Sequence, residues 1–84
     1  MARIVNEAIE LVEAGPGGPR RFRWRGRTYV VADVLEVWRE MGAWWDEDPP
    51  TERTVYRIVL EGGAVAELEH RRPDGTWCLY KLYD

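Results

Sequence analysis

Short runs of alternating apolar and polar residues are separated by turn-forming clusters along the whole chain. The clusters fall at Gly15-Pro16-Gly17-Gly18-Pro19, Arg25-Gly26, Asp46-Glu47-Asp48-Pro49-Pro50, Gly62-Gly63 and Pro73-Asp74-Gly75. The intervening segments have strand length, and this regular spacing is that of an all-β meander or barrel. Three segments, TVYRIVL (54–60), AVAELEH (64–70) and TWCLYKLY (76–83), are rich in β-branched and aromatic residues and predict strands. The Pro73-Asp74-Gly75 turn joins the last two as a hairpin. Strict alternation in 76–83 puts Trp77, Leu79, Lys81 and Tyr83 on one face and Cys78, Tyr80 and Leu82 on the other. Neither face is polar throughout, as expected of a strand covered twice or half exposed to a partner.

The first half is more ambiguous. Ile4, Val5, Ala8, Ile9 and Val12 form a helical stripe. The GPGGP cluster followed at once by an alternating segment argues instead for a hairpin, with Glu7 to Glu13 as a strand carrying Ile9 and Leu11 inward. The strand is preferred. In VADVLEVWREMG, Asp33 could cap a helix with Val34, Leu35, Val37 and Trp38 on its apolar side, but a long bent strand is preferred here too. Residues 20–25 read as a strand with Arg21, Arg23 and Arg25 on one face and Phe22 and Trp24 on the other. Gly26 supplies the turn, and Arg27, Tyr29 and Val31 begin the return strand. The expected fold class is all-β: a small antiparallel meander of five or six strands, curled into an open SH3-like barrel, with room for one short helix.

Eighty-four residues make one domain, 1–84, near the lower limit for a self-sufficient core. A chain of this size hides only about 60–65 % of its unfolded surface. Five Trp, four Tyr and one Phe compensate, because each aromatic buries roughly 150–250 Å². A single cysteine, Cys78, excludes an internal disulfide, and with only His70 as a soft-ligand companion no structural zinc site is available. No cofactor is expected. That cysteine usage fits a reducing cytosol, and no run approaches the roughly 20 apolar residues that span a bilayer. A cytoplasmic location without membrane contact follows as the expectation.

Charge sharpens one question. Five arginines occupy positions 20–27 of a chain whose net charge is −3 and whose isoelectric point is about 5.2. Arg21, Arg23, Arg25 and Arg27 form a positive ridge whose guanidinium forks suit phosphates, which makes them candidate nucleic-acid contacts. The alternative pairs them across the sheet with Glu7, Glu10 and Glu13 on the neighbouring strand. Overall acidity favours the second.

A second constellation is Trp44-Trp45, which in an extended segment face opposite ways, so that at most one is fully in the core. Together with Trp38 they are the candidate partner-binding residues, one of them exposed as an interface anchor or closing one end of the barrel. Asp46, Glu47 and Asp48 lack the spaced ligand pattern of a calcium loop. His70 has no paired nucleophile, and Cys78 sits mid-strand where a small buried residue is the default. Neither glycine cluster is followed by the Lys-Ser/Thr of a phosphate loop. No catalytic residue and no metal site is expected, and the protein is not expected to be an enzyme.

The order FRWRGRTYVV, VLEVWRE, Trp44-Trp45 and GTWCLYKLYD resembles a family of small bacterial proteins, the domain of unknown function 6504. The resemblance spans nearly the whole chain and is loosest over the first fifteen residues. It implies a β-rich domain associated with Y-family, translesion-type DNA polymerase-like proteins. It would make Arg21, Arg23, Arg25, Arg27, Trp44 and Trp45 contacts for DNA or for a repair protein, and it carries over no catalytic residue. The expected function is a non-catalytic interaction module for a protein partner. Direct nucleic-acid binding through 20–27 and a structural homodimer joined through the aromatic C-terminal strand are the alternatives.

Overall fold

Arg25 and Gly26 both adopt positive φ, 51° and 75°, the combination that a two-residue turn needs to match the twist of its flanking strands. In the computed structural model, which describes residues 2–41, 52–72 and 74–83, this turn joins β2 (Gly18–Trp24) to β3 (Arg27–Met41). Arg25 thus lies in the turn and not in the strand. Around this hairpin run β1 (Ala2–Gly15), β4 (Glu52–Leu60), β5 (Val65–Arg72) and β6 (Trp77–Tyr83). Gly62 and Gly63, both at positive φ, turn β4 into β5. Between β5 and β6, Gly75 N–H donates to Arg71 O, and Asp74 Oδ1 accepts the Thr76 N–H at 3.2 Å. That bond holds the Asp74 carboxyl below its usual range.

The six strands follow one another in sequence order around a closed antiparallel barrel. The small all-β barrel expected from the sequence is what forms, and both ambiguous segments are strands. No helix occurs among the described residues, so none is long and apolar enough to cross a membrane. The ladder also goes all the way round where an open curl was expected. The cause is the length of β1, whose residues 2–9 pair with β6 while residues 10–15 pair with β2. One strand can serve both neighbours because it bends at Asn6, a non-glycine residue at φ 50°.

Opposite that bend, β6 carries its own irregularity. Glu67 pairs with Lys81 and Leu68 with Leu79, which leaves Tyr80 unopposed. One extra residue reverses the phase of everything after it. The faces predicted for 76–83 therefore hold only as far as Leu79. Leu82 packs against the core, whereas Lys81 and Tyr83 join Cys78 on the outer side, with the Lys81 ammonium 5.3 Å from the Tyr83 ring centre.

The core is built from Phe22, Trp24, Val31, Ile58, Leu60, Ala66, Leu68 and Leu79, with Val5, Ile9, Val34, Tyr56 and Trp77 packed against it. Phe22 stacks on Tyr29 at 5.4 Å. Each fully buried aliphatic or aromatic side chain stabilises the barrel by about 1.5–3 kcal/mol. Gly18 is fixed by packing: at φ 134° it lies so close to Tyr56 that an added Cβ would stand 2.9 Å from the ring.

Candidate functional site

The arginine ridge is largely answered by β1. Glu10 lies opposite Arg23 and Glu13 opposite Arg21 in the β1–β2 register. Arg25 donates to both oxygens of Glu7, from Nε at 3.1 Å and Nη2 at 2.6 Å, while the Trp24 indole N–H adds a third bond to the same carboxylate at 3.0 Å. These donors hold the Glu7 carboxyl below its ordinary range and raise Arg25 in turn. Arg21 reaches Glu13 at 3.7 Å. Arg23 and Arg27 are exposed and enter no ion pair among the described residues. The structure thus splits the four candidate arginines into two engaged and two not.

Trp38 lies on the outer face of β3, half-buried, donating its indole N–H to Glu40 at 3.0 Å beneath the Arg57 guanidinium. Trp44 and Trp45 lie outside the described residues, as do Asp46, Glu47 and Asp48. The three tryptophans are therefore not shown to come together.

A charged network on this outer face is a feature that the sequence reading missed. Residues 67 and 69 alternate with the core residues Ala66 and Leu68, so they point away from the core, yet Glu67 and Glu69 are only 6 % and 2 % exposed. Burial of a charge is tolerated only with partners, and both have them. Glu67 accepts from Arg57 Nη2 at 3.2 Å and from the Tyr83 hydroxyl at 2.7 Å. Glu69 accepts from Arg71 Nε and Nη2 at 3.2 and 3.1 Å, and Arg53 stands 3.7 Å away. Glu36 and Glu40 on β3 complete the alternation on the far sides of Arg57 and Arg53. The signal was present in the β4–β5 register set by Gly62-Gly63, which places Arg57 opposite Glu67. Trp38, Val55 and Tyr80 help to close the network over a polar recess of about 100 Å³.

The inner side of the same strands is different. Tyr56, Trp77 and His70 form a continuous stack, with ring centres 5.5 and 4.3 Å apart. Together with Val37, Arg72 and the Ala14–Gly18 turn they line an open groove of about 470 Å³. A second groove of about 410 Å³ continues from it between the start of β2 and residues 31–34 of β3.

Both grooves border one edge of β3. That strand pairs with β2 only over residues 27–30 and with β4 from Val31 onward, on its other side. Among the described residues, β3 beyond Val31 is therefore hydrogen-bonded on one edge alone. Leu35, Val37 and Met41 lie along this stretch at 48, 51 and 69 % exposure. The Asp33 carboxylate accepts the Val34 N–H at 2.9 Å, a local side-chain-to-backbone bond beside the register shift between Val31 and Asp33. By contrast β6, the strand through which the alternative homodimer reading would join two copies, is paired on both edges by β5 and β1.

Among the described residues no group of three His, Cys, Asp or Glu is placed to hold a metal ion. Cys78 is buried.

Comparison with known proteins adds a family. The model of the Domain of unknown function (DUF6504) family matches residues 1–84, and the chain belongs to that family. No curated protein and no solved structure matches it.

Proposed function

We propose that this member of the DUF6504 family is a non-catalytic, cytoplasmic interaction module that takes up an extended segment of a protein partner along the open edge of β3. The observation that carries the reading is the coincidence of a strand paired on one edge alone among the described residues with exposed Leu35, Val37 and Met41. A long apolar edge invites another strand unless it is blocked, and strand addition of this kind is a recurrent mode of peptide recognition. The two grooves beside the edge give the side chains of an added strand somewhere to go. A setting in DNA repair would be supplied by the partner.

A second reading keeps Arg23 and Arg27, which enter no ion pair among the described residues, as phosphate contacts. It is weakened by the engagement of Arg21 and Arg25 with Glu13 and Glu7.

A random twelve-residue peptide library displayed on phage and selected on the folded protein tests the first reading. Enriched peptides are expected to protect the amides of residues 35–41 from hydrogen exchange and to lose binding to Val37→Asp. Peptides that leave β3 unprotected, or no enrichment at all, would sink it. Anisotropy with labelled DNA at low and physiological salt tests the second reading: salt-sensitive binding that is abolished in an Arg23→Glu/Arg27→Glu variant would establish it.

A further inference from the structure

We infer, resting on that reading of the β3 edge, that the segment it takes up is a basic amphipathic strand, with Lys or Arg on one face and bulky apolar side chains on the other. The argument comes from the two sides of the edge, which differ in chemistry. A strand added to β3 runs about 4.8 Å from it and sends alternate side chains to opposite faces.

On the inner side these side chains meet exposed Val37 and the groove lined by the stacked rings of Tyr56, Trp77 and His70 and by Arg72. The opposite wall is the Ala14–Gly18 turn, where Gly17 has open space beside it. Large apolar groups suit that side.

On the outer side they meet Glu36 and Glu40, whose side chains are 59 % and 49 % exposed. Each already faces one arginine of β4, Arg57 or Arg53, at its inward flank. A carboxylate can accept from several donors, so a cation on the added strand extends the alternating row of charge by one more column. Opposite charges directly across a ladder are favourable and like charges are not.

That same rule disfavours a second copy of this chain as the occupant. The stretch from 31 to 41 carries Asp33, Glu36 and Glu40 against the single cation Arg39, which turns to Glu52 at 3.7 Å. Self-pairing would set two acidic edges side by side, in a chain whose net charge is already −3.

The probe is a fluorescein-labelled nine-residue peptide alternating lysine with valine and carrying one central tryptophan. Its controls are the same peptide with glutamate in place of lysine, and one with alternate amides N-methylated. Anisotropy gives the affinity, and hydrogen exchange of residues 35–41 gives the location. The lysine peptide is expected to protect β3, to lose binding on N-methylation, and to bind a Glu36→Gln/Glu40→Gln variant about fivefold or more weakly at low salt.

Equal binding of the glutamate peptide, with β3 protected, would overturn the basic specificity while leaving the edge reading intact. Binding of the lysine peptide without protection of β3 would show non-specific attraction to an acidic protein and overturn the inference. Protection that rises with protein concentration in the absence of peptide would make the occupant a second copy, against the inference. Failure of every extended peptide, including those from the phage selection, would remove the edge reading as well.

Discussion

Replacing Glu69 with glutamine keeps the shape of the side chain and removes its charge from a site that is only 2 % exposed. The carboxylate takes two hydrogen bonds from Arg71 and faces Arg53 at 3.7 Å. Breaking a buried ion pair by removing one partner costs about 3–5 kcal/mol, because the remaining charge is left uncompensated. The two arginines are only partly enclosed, with side chains 36 % and 33 % exposed, so water recovers part of that loss. About 2–3 kcal/mol remains. At roughly 0.05–0.15 kcal/mol per residue, a chain of this length has about 4–13 kcal/mol in all, so the loss is a large fraction. At about 4–8 °C per kcal/mol, the melting temperature should fall by about 10–20 °C.

The assay is thermal unfolding followed by far-ultraviolet circular dichroism, with urea titration to give the free energy. Glu13→Gln serves as the reference, since both side chains of its pair with Arg21 are at least half exposed and the pair is worth less than about 1 kcal/mol. A double-mutant cycle with Arg71→Met isolates the coupling between partners. If Glu69→Gln and Glu13→Gln shift the melting temperature equally, the outer network is a solvated surface like any other, and the reasoning from its burial is wrong.

Two further expectations follow from local geometry. Gly18→Ala forces a Cβ to 2.9 Å from the Tyr56 ring at a φ of 134°; with that ring stacked on Trp77, the loss should be about 2 kcal/mol or more, and a stable alanine variant by urea titration would show the ring to be free to move. The Glu7 carboxyl is held below its ordinary value of 4.5 by Arg25 and then Trp24, so its contribution is complete above pH 4.5 and is lost as pH falls through the lower folded value. A Glu7→Gln variant should therefore lose part of the acid slope of the unfolding free energy below pH 4.5, and an unchanged slope would contradict the assignment.

Much of the barrel was legible because its turns carry their own chemistry. Arg25-Gly26, Gly62-Gly63 and Asp74-Gly75 each end one alternating segment and begin another, and the strands expected at 54–60, 64–70 and 76–83 form at 52–60, 65–72 and 77–83. The match of Glu10 and Glu13 to Arg23 and Arg21 was visible for the same reason: a short turn fixes register.

What stayed hidden depends on contacts remote in sequence. The bend at Asn6 and the unopposed Tyr80 face each other across β1 and β6; asparagine tolerates positive φ better than most residue types, but that tolerance alone does not place a bend inside a strand, and tyrosine carries no such signal. Glu67 and Glu69 look like a solvent face until Arg53, Arg57 and Arg71 are seen to cover them. The edge of β3 that has no partner among the described residues is a property of which strands stop where. A strand's own residues do not show which of its two sides lacks a neighbour.

The closure of the barrel also orders its assembly. Ala2 pairs with Tyr83 and Ile9 with Trp77, the most distant partners the chain offers, whereas every other ladder joins strands that are consecutive along it. Loop closure over such a span carries the largest entropic penalty and slows folding. The β2–β5 meander can form while β1 still waits for β6, and on a ribosome it must wait until the last strand has emerged. Pulse-labelled hydrogen exchange during refolding should find the amides of residues 2–9 protected last. Until that moment Ile9 and Val5 remain uncovered, which makes the interval before closure the time at which this barrel is most exposed to aggregation.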